Sequence, residues 1–230
     1  MSTLTELKKE LQQLADPKQK EILQRFFKTG KGEYGEGDIF LGIKVPVQRK
    51  IAKKYQALSL NNIQTLLKSK IHEYRFTALI LLINYYTKVD DKREVFDFYI
   101  RNTRHINNWD LVDISAPKIV GDYLLDKPRE ILDSLAHSPL IWERRIAIIA
   151  TMAFIKQNDF NDTLKLAKIL LNDKQDLIHK AVGWMLREVG KQDQSVEENF
   201  LNQYYKQMPR TMLRYAIEKF EDSKRRFYMN

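Results

Sequence analysis

The sequence predicts an all-α fold, a curved α-solenoid of paired helices, from three observations. The 230 residues include only 8 glycines and 6 prolines, so few positions interrupt a helix. Outside residues 30–37, apolar residues recur at helical spacing, and the strict alternation of a half-buried strand is hard to find. Small residues also return at a regular interval. We therefore expect about a dozen helices and no sheet.

Two helix starts and four amphipathic helices can be located along the chain. Asp16-Pro17 and Ser138-Pro139 each place a capping side chain before a first-turn proline. The apolar faces are formed, in chain order, by Ile63, Leu66 and Leu67; by Phe76, Leu79, Ile80, Ile83 and Tyr86; by Ile146, Ile149, Met152 and Ala153; and by Ile178, Ala181, Val182 and Met185. These segments predict helices over most of the chain.

Alanines mark a repeat of these helices. Ala78, Ala116, Ala147, Ala181 and Ala216 lie in amphipathic segments at intervals of 38, 31, 34 and 35 residues. A small residue at a fixed position allows close helix contacts, and this period is typical of a solenoid of helix pairs. Because alanine is common, coincidence is the alternative. We expect residues 1–230 to form one domain, in which the second helices of the pairs line a concave face.

The composition excludes several kinds of site. The chain has no cysteine, which excludes disulfides, thiolate metal ligands and a cysteine nucleophile. The four histidines are scattered, and His72-Glu73 lacks the second histidine of a zinc helix, so we predict no metal and no cofactor. The polar N-terminus and short apolar runs predict no signal peptide and no membrane span. We expect a cytoplasmic monomer.

The net charge of +9 indicates a phosphate-rich partner. Residues 1–100 contain 18 Lys and Arg against 12 acids, residues 101–200 contain 14 against 15, and residues 201–230 contain 7 against 3. This distribution fits basic arms that flank a neutral centre in a nucleic-acid-binding protein. A solvated mixed surface is the equally weighted alternative.

A glycine-rich stretch, Gly30-Lys-Gly-Glu-Tyr-Gly35, matches the dinucleotide-binding pattern G-x-G-x-x-G. That pattern needs a strand before it and a helix directly after it. Here a predicted helix precedes it, and nearby acids such as Glu33 and Glu36 would repel a pyrophosphate. We interpret the stretch as a loop that ends a helix.

The segment from His105 to Pro117 carries the candidate chemistry. Asn107 or Asn108 can cap a helix that begins at Trp109, and Asp113 then lies one turn further on the same face. Pro117 has no N–H to donate to the carbonyl of Asp113, so we expect the helix to kink or break there. The alternative is that Trp109 packs in the core and Asp113 pairs with an arginine.

Two later repeats supply matching residues. Trp142-Glu-Arg-Arg145 begins one helix, and Gly183-Trp184-Met-Leu-Arg187 lies in another. If the alanines mark equivalent turns, Asp113, Arg145 and Trp184 lie within one turn of each other in consecutive repeats and line one groove. Indoles, a carboxylate and a guanidinium suit a cationic, phosphate-linked ligand. Alternatively, Arg145 forms a surface ion pair and Trp184 lies in the core.

Five segments together resemble a known family. They are Arg25-Phe-Phe-Lys-Thr-Gly30, Asp38-Ile-Phe-Leu-Gly-Ile-Lys-Val-Pro46, Asn108-Trp-Asp-Leu-Val-Asp113, Trp142-Glu-Arg-Arg145 and Ala181-Val-Gly-Trp-Met-Leu-Arg-Glu188. In this order they resemble the AlkD-type DNA alkylation repair proteins over nearly the whole chain. The resemblance implies HEAT-like helical repeats. In active members it also implies a monofunctional DNA glycosylase that excises N3- and N7-alkylated purines from double-stranded DNA, for base excision repair.

The resemblance also implies roles for individual residues. Asp113 is expected to be the catalytic carboxylate, with Trp109 and Trp184 beside the damaged nucleotide. DNA contacts are expected from Arg145, which would hold the backbone near the lesion, and from Phe26 and Arg187. The chain departs from the family pattern at Asp176 and Leu177, where aromatic residues are expected, and at Phe26, where a tyrosine is expected.

Two functions remain open from the sequence. The first is the glycosylase, which would associate with the nucleoid when bound to DNA. The second is a non-catalytic HEAT-like repeat protein that binds DNA or a protein partner through its groove. Because Trp109, Asp113, Arg145 and Trp184 are all present, the sequence favours the enzyme.

Overall fold

The computed structural model describes residues 3–230, and within that range the chain is helical with no β-strand. An isolated parallel bridge joins Ile39 to Ile71. The predicted all-α fold class is therefore confirmed. None of the helices in the described range combines the length and the apolar character needed to cross a bilayer.

The α-helices of the described range follow one another along the chain, and the longest connection, residues 27–44, joins α2 to α3. They are α1 (Leu4–Gln13), α2 (Pro17–Phe26), α3 (Val45–Lys54), α4 (Leu60–Leu67), α5 (His72–Tyr86), α6 (Lys92–Arg101), α7 (Trp109–Ala116), α8 (Glu130–Ala136), α9 (Ile141–Ala150), α10 (Met152–Ile155), α11 (Asn161–Ile169), α12 (Asp176–Gln192), α13 (Gln194–Tyr204), α14 (Arg210–Ala216) and α15 (Asp222–Met229). Short 3₁₀ segments span Thr103–His105 and Ile217–Lys219, and a π-helix spans Pro117–Gly121.

The chain divides into two compact units, one ending at Ser115 and the other spanning Ala116–Asn230. In the first unit, α5 packs against α3 and α4 and is buried along most of its length. In the second unit, α12 packs against α9, α13 and α14. The expected single domain over residues 1–230 stays a prediction.

The alanines of the predicted repeat all lie at helix contacts. Each belongs to an α-helix and is fully buried: Ala78, Ala116, Ala147, Ala181 and Ala216. At Gly183 the helices approach so closely that even the methyl group of alanine does not fit. A Cβ at Gly183 on α12 would lie 2.3 Å from the carbonyl oxygen of Met212 on α14, so only glycine permits this approach.

One of the two predicted helix starts is confirmed and the other is wrong. The carboxylate of Asp16 caps α2, accepting the main-chain N–H groups of Lys18 at 2.9 Å and Gln19 at 3.1 Å. Ser138-Pro139 does not begin a helix, since α9 begins at Ile141. The hydroxyl of Ser138 instead accepts the N–H of Leu140 at 3.1 Å, which forms a local turn ahead of the helix.

The glycine-rich stretch is a loop after α2, as predicted. Gly32 and Gly37 have φ values of +80° and +85°, which glycine adopts without strain. The N–H groups of Gly30 and Gly32 donate to the carboxylates of Glu33 and Glu36, both at 2.8 Å. These acids therefore stabilise the turn itself.

Candidate functional site

Helix α7 begins at Trp109, as the sequence predicts, and Asn108 is the residue that starts it. The side-chain oxygen of Asn108 accepts the N–H of Trp109 at 2.8 Å, and its carbonyl accepts the N–H of Val112 at 3.2 Å. Because Asn108 is fully buried, the first turn of α7 starts from a fixed point in the core.

The interruption predicted at Pro117 takes the form of a wider turn. Helix α7 ends at Ala116, whose φ and ψ of −58° and −45° are still helical, and the chain continues as a π-helix over Pro117–Gly121. Since Pro117 has no N–H, the α-helical bond to the carbonyl of Asp113 cannot form. The expected kink or break is thus a change of hydrogen-bonding pattern, of the kind often found at functional sites.

Trp109 and Asp113 lie four residues apart on α7, and both are partly exposed. Leu111 and Val112 between them are fully buried, so the helix turns its other face to the core. The charge of Asp113 reaches Tyr99, where it adds to the effect of burial in raising the pKa of that phenol. The structure therefore places an indole and a carboxylate one turn apart on an accessible face.

A stack of aromatic rings supports Trp109 from α2. The rings of Trp109 and Phe27 are stacked with centroids 5.3 Å apart, and Phe27 stacks in turn on Phe40 at 5.0 Å. Phe26 meets Trp109 edge-on at 5.9 Å and is 61% exposed. The structure thus brings the predicted residues Phe26 and Trp109 together. Phe27 and Phe40 belong to motifs that the sequence singled out, although no role was assigned to either.

A buried charged cluster lies beside the ring stack, and no sequence pattern indicated it. The imidazole of His72 stacks on Phe40 at 4.5 Å, and its Nε2 lies 2.8 Å from Oδ2 of Asp110. On the other side, Asp38 Oδ2 lies 3.5 Å from His72 Nδ1 and 2.7 Å from Arg75 Nη2. Burial disfavours the charged ring, but the carboxylates of Asp110 and Asp38 outweigh it and raise the pKa of His72 to about 8.

Glu73 holds the segment that supplies Asp38 and Phe40. Its buried carboxylate accepts three main-chain N–H groups, from Leu41 at 2.9 Å, Gly42 at 2.8 Å and Ile43 at 3.2 Å. Gly42 has φ +89°, and a Cβ there would lie 2.2 Å from the carbonyl oxygen of Asp16. One loop is therefore locked to both α5 and the start of α2.

Arg145, in the second unit, is buried. It lies on α9, is 5% exposed, and donates through Nη1 to the carbonyl of Leu177 on α12. The alternative of a surface ion pair does not describe this position. At this exposure, little of the residue is accessible to a DNA phosphate.

Trp184 and Arg187 lie on α12 and share one acid. The indole Nε1 of Trp184 donates to Oε1 of Glu188 at 3.0 Å, and Nε of Arg187 lies 3.8 Å from the same oxygen. Arg187 also pairs with Glu218. Trp184 is partly exposed, so it is not simply a core residue.

Comparisons with known proteins agree with the fold and with the family that the chain resembles. Residues 7–220 match the family described as DNA alkylation repair enzyme. A predicted DNA alkylation repair enzyme from Enterococcus faecalis superimposes with a TM-score of 0.74 at 18% identity, covering 90% of this chain and 97% of that one. AlkD2 from Streptococcus mutans gives 0.58 at 17% identity, covering 89% and 99%. No curated protein matches in sequence. Since the family match spans nearly the whole chain, the protein belongs to the DNA alkylation repair enzyme family.

Proposed function

We propose that the protein is a DNA glycosylase that hydrolyses the N-glycosidic bond of N3- and N7-alkylated purines in duplex DNA. The observation that carries this proposal is the pair on α7, in which Asp113 lies one turn from the partly exposed Trp109. The exposed ring of Phe26 beside Trp109 extends the aromatic surface. Membership of a DNA alkylation repair family supports the choice of substrate.

The chemistry asks little of the protein beyond electrostatics. An N3- or N7-alkylated purine is already cationic, so it can leave without being protonated. When the bond between its nitrogen and C1′ breaks, the purine keeps the bonding electrons. Positive charge then develops on the sugar, as in glycoside hydrolysis. The carboxylate of Asp113 stabilises this charge and orients the water, whose oxygen bonds to C1′ while its proton passes to solvent.

The aromatic residues bind the cationic base before its bond to the sugar breaks. An indole face attracts a cationic base by about 1 kcal/mol at an exposed site. We therefore assign Trp109 and Trp184 to the damaged nucleotide. We assign Phe26, Arg145 and Arg187 to the DNA around it. Since Arg145 is buried and donates to the carbonyl of Leu177, we propose that it acts on the DNA backbone through the position it gives to α12.

Asp113→Asn tests the proposal. The substitution should lower the single-turnover release of N7-methylguanine from a duplex by about 10²–10³. DNA affinity and melting temperature should stay near the wild-type values, because the phosphate contacts come from other residues. Asp97→Asn is the matched control, since Asp97 is an exposed carboxylate on α6 that lies 3.5 Å from Arg93. It should leave all three quantities unchanged.

Other outcomes point elsewhere. Release at the wild-type rate by Asp113→Asn would remove this residue from the mechanism. Parallel losses of stability, binding and release would make Asp113 a structural carboxylate. A wild-type protein that binds DNA tightly and releases no alkylated base would be the non-catalytic DNA-binding repeat protein instead.

A further inference from the structure

The charged cluster around His72 is buried close to Trp109, and the proposed mechanism does not use it. His72 is 3% exposed and faces three charged groups. They are Asp38 from the loop before α3, Asp110 from the first turn of α7, and Arg75 from its own helix. The rings of Phe27 and Phe40 also pack against its imidazole, at centroid distances of 5.0 Å and 4.5 Å.

We propose that His72, held in its charged form between Asp38 and Asp110, is a positioning residue that sets the orientation of Trp109 for the alkylated nucleotide. This inference rests on the proposed function. His72 cannot touch DNA itself, since it is buried, so it acts through its neighbours. The connection is short because Asp110 directly follows Trp109 and anchors the first turn of α7 to α5.

The charges of the cluster explain why the proton on His72 matters. With the ring protonated, the two carboxylates of Asp38 and Asp110 face two cations, His72 and Arg75. Loss of the proton leaves one negative charge unbalanced in a buried place, which is costly at low dielectric. Since Arg75 already pairs with Asp38 at 2.7 Å, the weakened contact is the one between His72 and Asp110. The neutral ring still donates its Nε2–H to Asp110, but the ion pair becomes a weaker neutral hydrogen bond, so α5 holds the first turn of α7, and Trp109 with it, less firmly.

The aromatic stack gives a second path to the same residue. His72 lies against Phe27 at 5.0 Å, and Phe27 stacks directly on Trp109 at 5.3 Å with an interplanar angle of 17°. A change at the imidazole of His72 therefore reaches the indole of Trp109 through the ring of Phe27 as well as through Asp110 on α7. The two paths meet at the one aromatic face that we assign to the lesion.

The test combines NMR on the free protein with excision assays. In the wild type, the ring signals of His72 should titrate near pH 8, and the indole N–H signal of Trp109 should shift with the same midpoint. Excision of N7-methylguanine should fall as the pH rises through this midpoint, reaching about one tenth of its plateau at pH 9. Glu197, which has a pKa near 9, lies on α13, so Glu197→Gln should leave the profile in place.

Asp110→Asn is the decisive variant, because it removes the charge that faces His72 and keeps the side-chain oxygen that accepts the N–H of Leu111. It should move the midpoints of both NMR signals and of the excision profile down by at least about one pH unit. His137→Gln is the control at an exposed histidine and should move neither.

An indole signal of Trp109 that ignores the titration of His72 would overturn the inference, and so would an unchanged excision profile in a folded Asp110→Asn protein. If that variant does not fold, the wild-type NMR titration decides alone. If the wild type releases no base at any pH, the proposed function fails, while the NMR titration still decides whether His72 orients Trp109.

Discussion

Replacing Glu73 by glutamine should destabilise the first unit strongly, because one carboxylate satisfies three buried N–H groups. Oε1 accepts from Gly42 and Ile43, and Oε2 accepts from Leu41. Glutamine has one acceptor oxygen, and its amide N–H₂ would face a third donor. At least one buried N–H then loses its acceptor, and the other two lose the help of a full charge.

The magnitude follows from these contacts. A hydrogen bond to a charged group contributes about 1.5–3 kcal/mol, and a buried donor left unsatisfied costs about 1–3 kcal/mol. We therefore expect Glu73→Gln to lower the free energy of unfolding by about 3–5 kcal/mol. In a chain of this length, that corresponds to a fall in melting temperature of about 10 °C.

Urea unfolding followed by circular dichroism measures the difference. Glu36→Gln is the matched control, because Glu36 accepts a single exposed N–H from Gly32. It should change the free energy of unfolding by less than about 1 kcal/mol. A Glu73→Gln protein within 1 kcal/mol of the wild type would refute the reasoning.

Other predictions concern stability and DNA binding. Glu197 is 1% exposed, and burial raises its pKa to about 9, so the wild type loses stability as the pH rises from 4.5 towards 9. Glu197→Gln should therefore be more stable than the wild type by about 3 kcal/mol at pH 7 and equal to it at pH 4, as measured by urea unfolding. Gly183→Ala should lower the free energy of unfolding by about 1–3 kcal/mol, because its methyl group would collide with the carbonyl of Met212, and thermal melting checks this. Duplex DNA binding, measured by fluorescence anisotropy, should weaken with salt by a log–log slope of about 0.9 per phosphate contact. An affinity that stays flat from 50 to 200 mM salt would argue for another partner. Removing the side-chain charges of Lys224-Arg-Arg226 should weaken DNA binding only mildly.

The fold could be predicted from the sequence because helical spacing is a local signal. The start of α7 at Trp109 follows from residues a few positions apart, and the buried alanines follow from the repetition of such local patterns every 31–38 residues. Ser138 shows the limit of such signals, since a serine before a proline can cap a helix or form a turn ahead of one. At Ser138 the chain forms the turn, because the serine hydroxyl accepts the N–H of Leu140.

The candidate site could be predicted only where its residues are neighbours in sequence. Trp109 and Asp113 share one helix, so their spacing alone places them on one face. The cluster of Asp38, His72 and Asp110 draws on segments more than 30 residues apart, and charge complementarity across such distances leaves no periodic pattern. The burial of Arg145 could not be predicted from the sequence either, because an arginine in a helix usually lies at the surface.

The loop after α2 is anchored separately at its two ends, which makes its tip a place for change. Phe27 is held by the ring stack before it, and Asp38 is held by Arg75 after it, while residues 30–33 between them are exposed. An insertion after Gly32 would therefore lengthen the tip without displacing the rings or the buried charges. The tip is therefore a place where a tag or a short peptide can be inserted while the α7 pair of Trp109 and Asp113 stays in position.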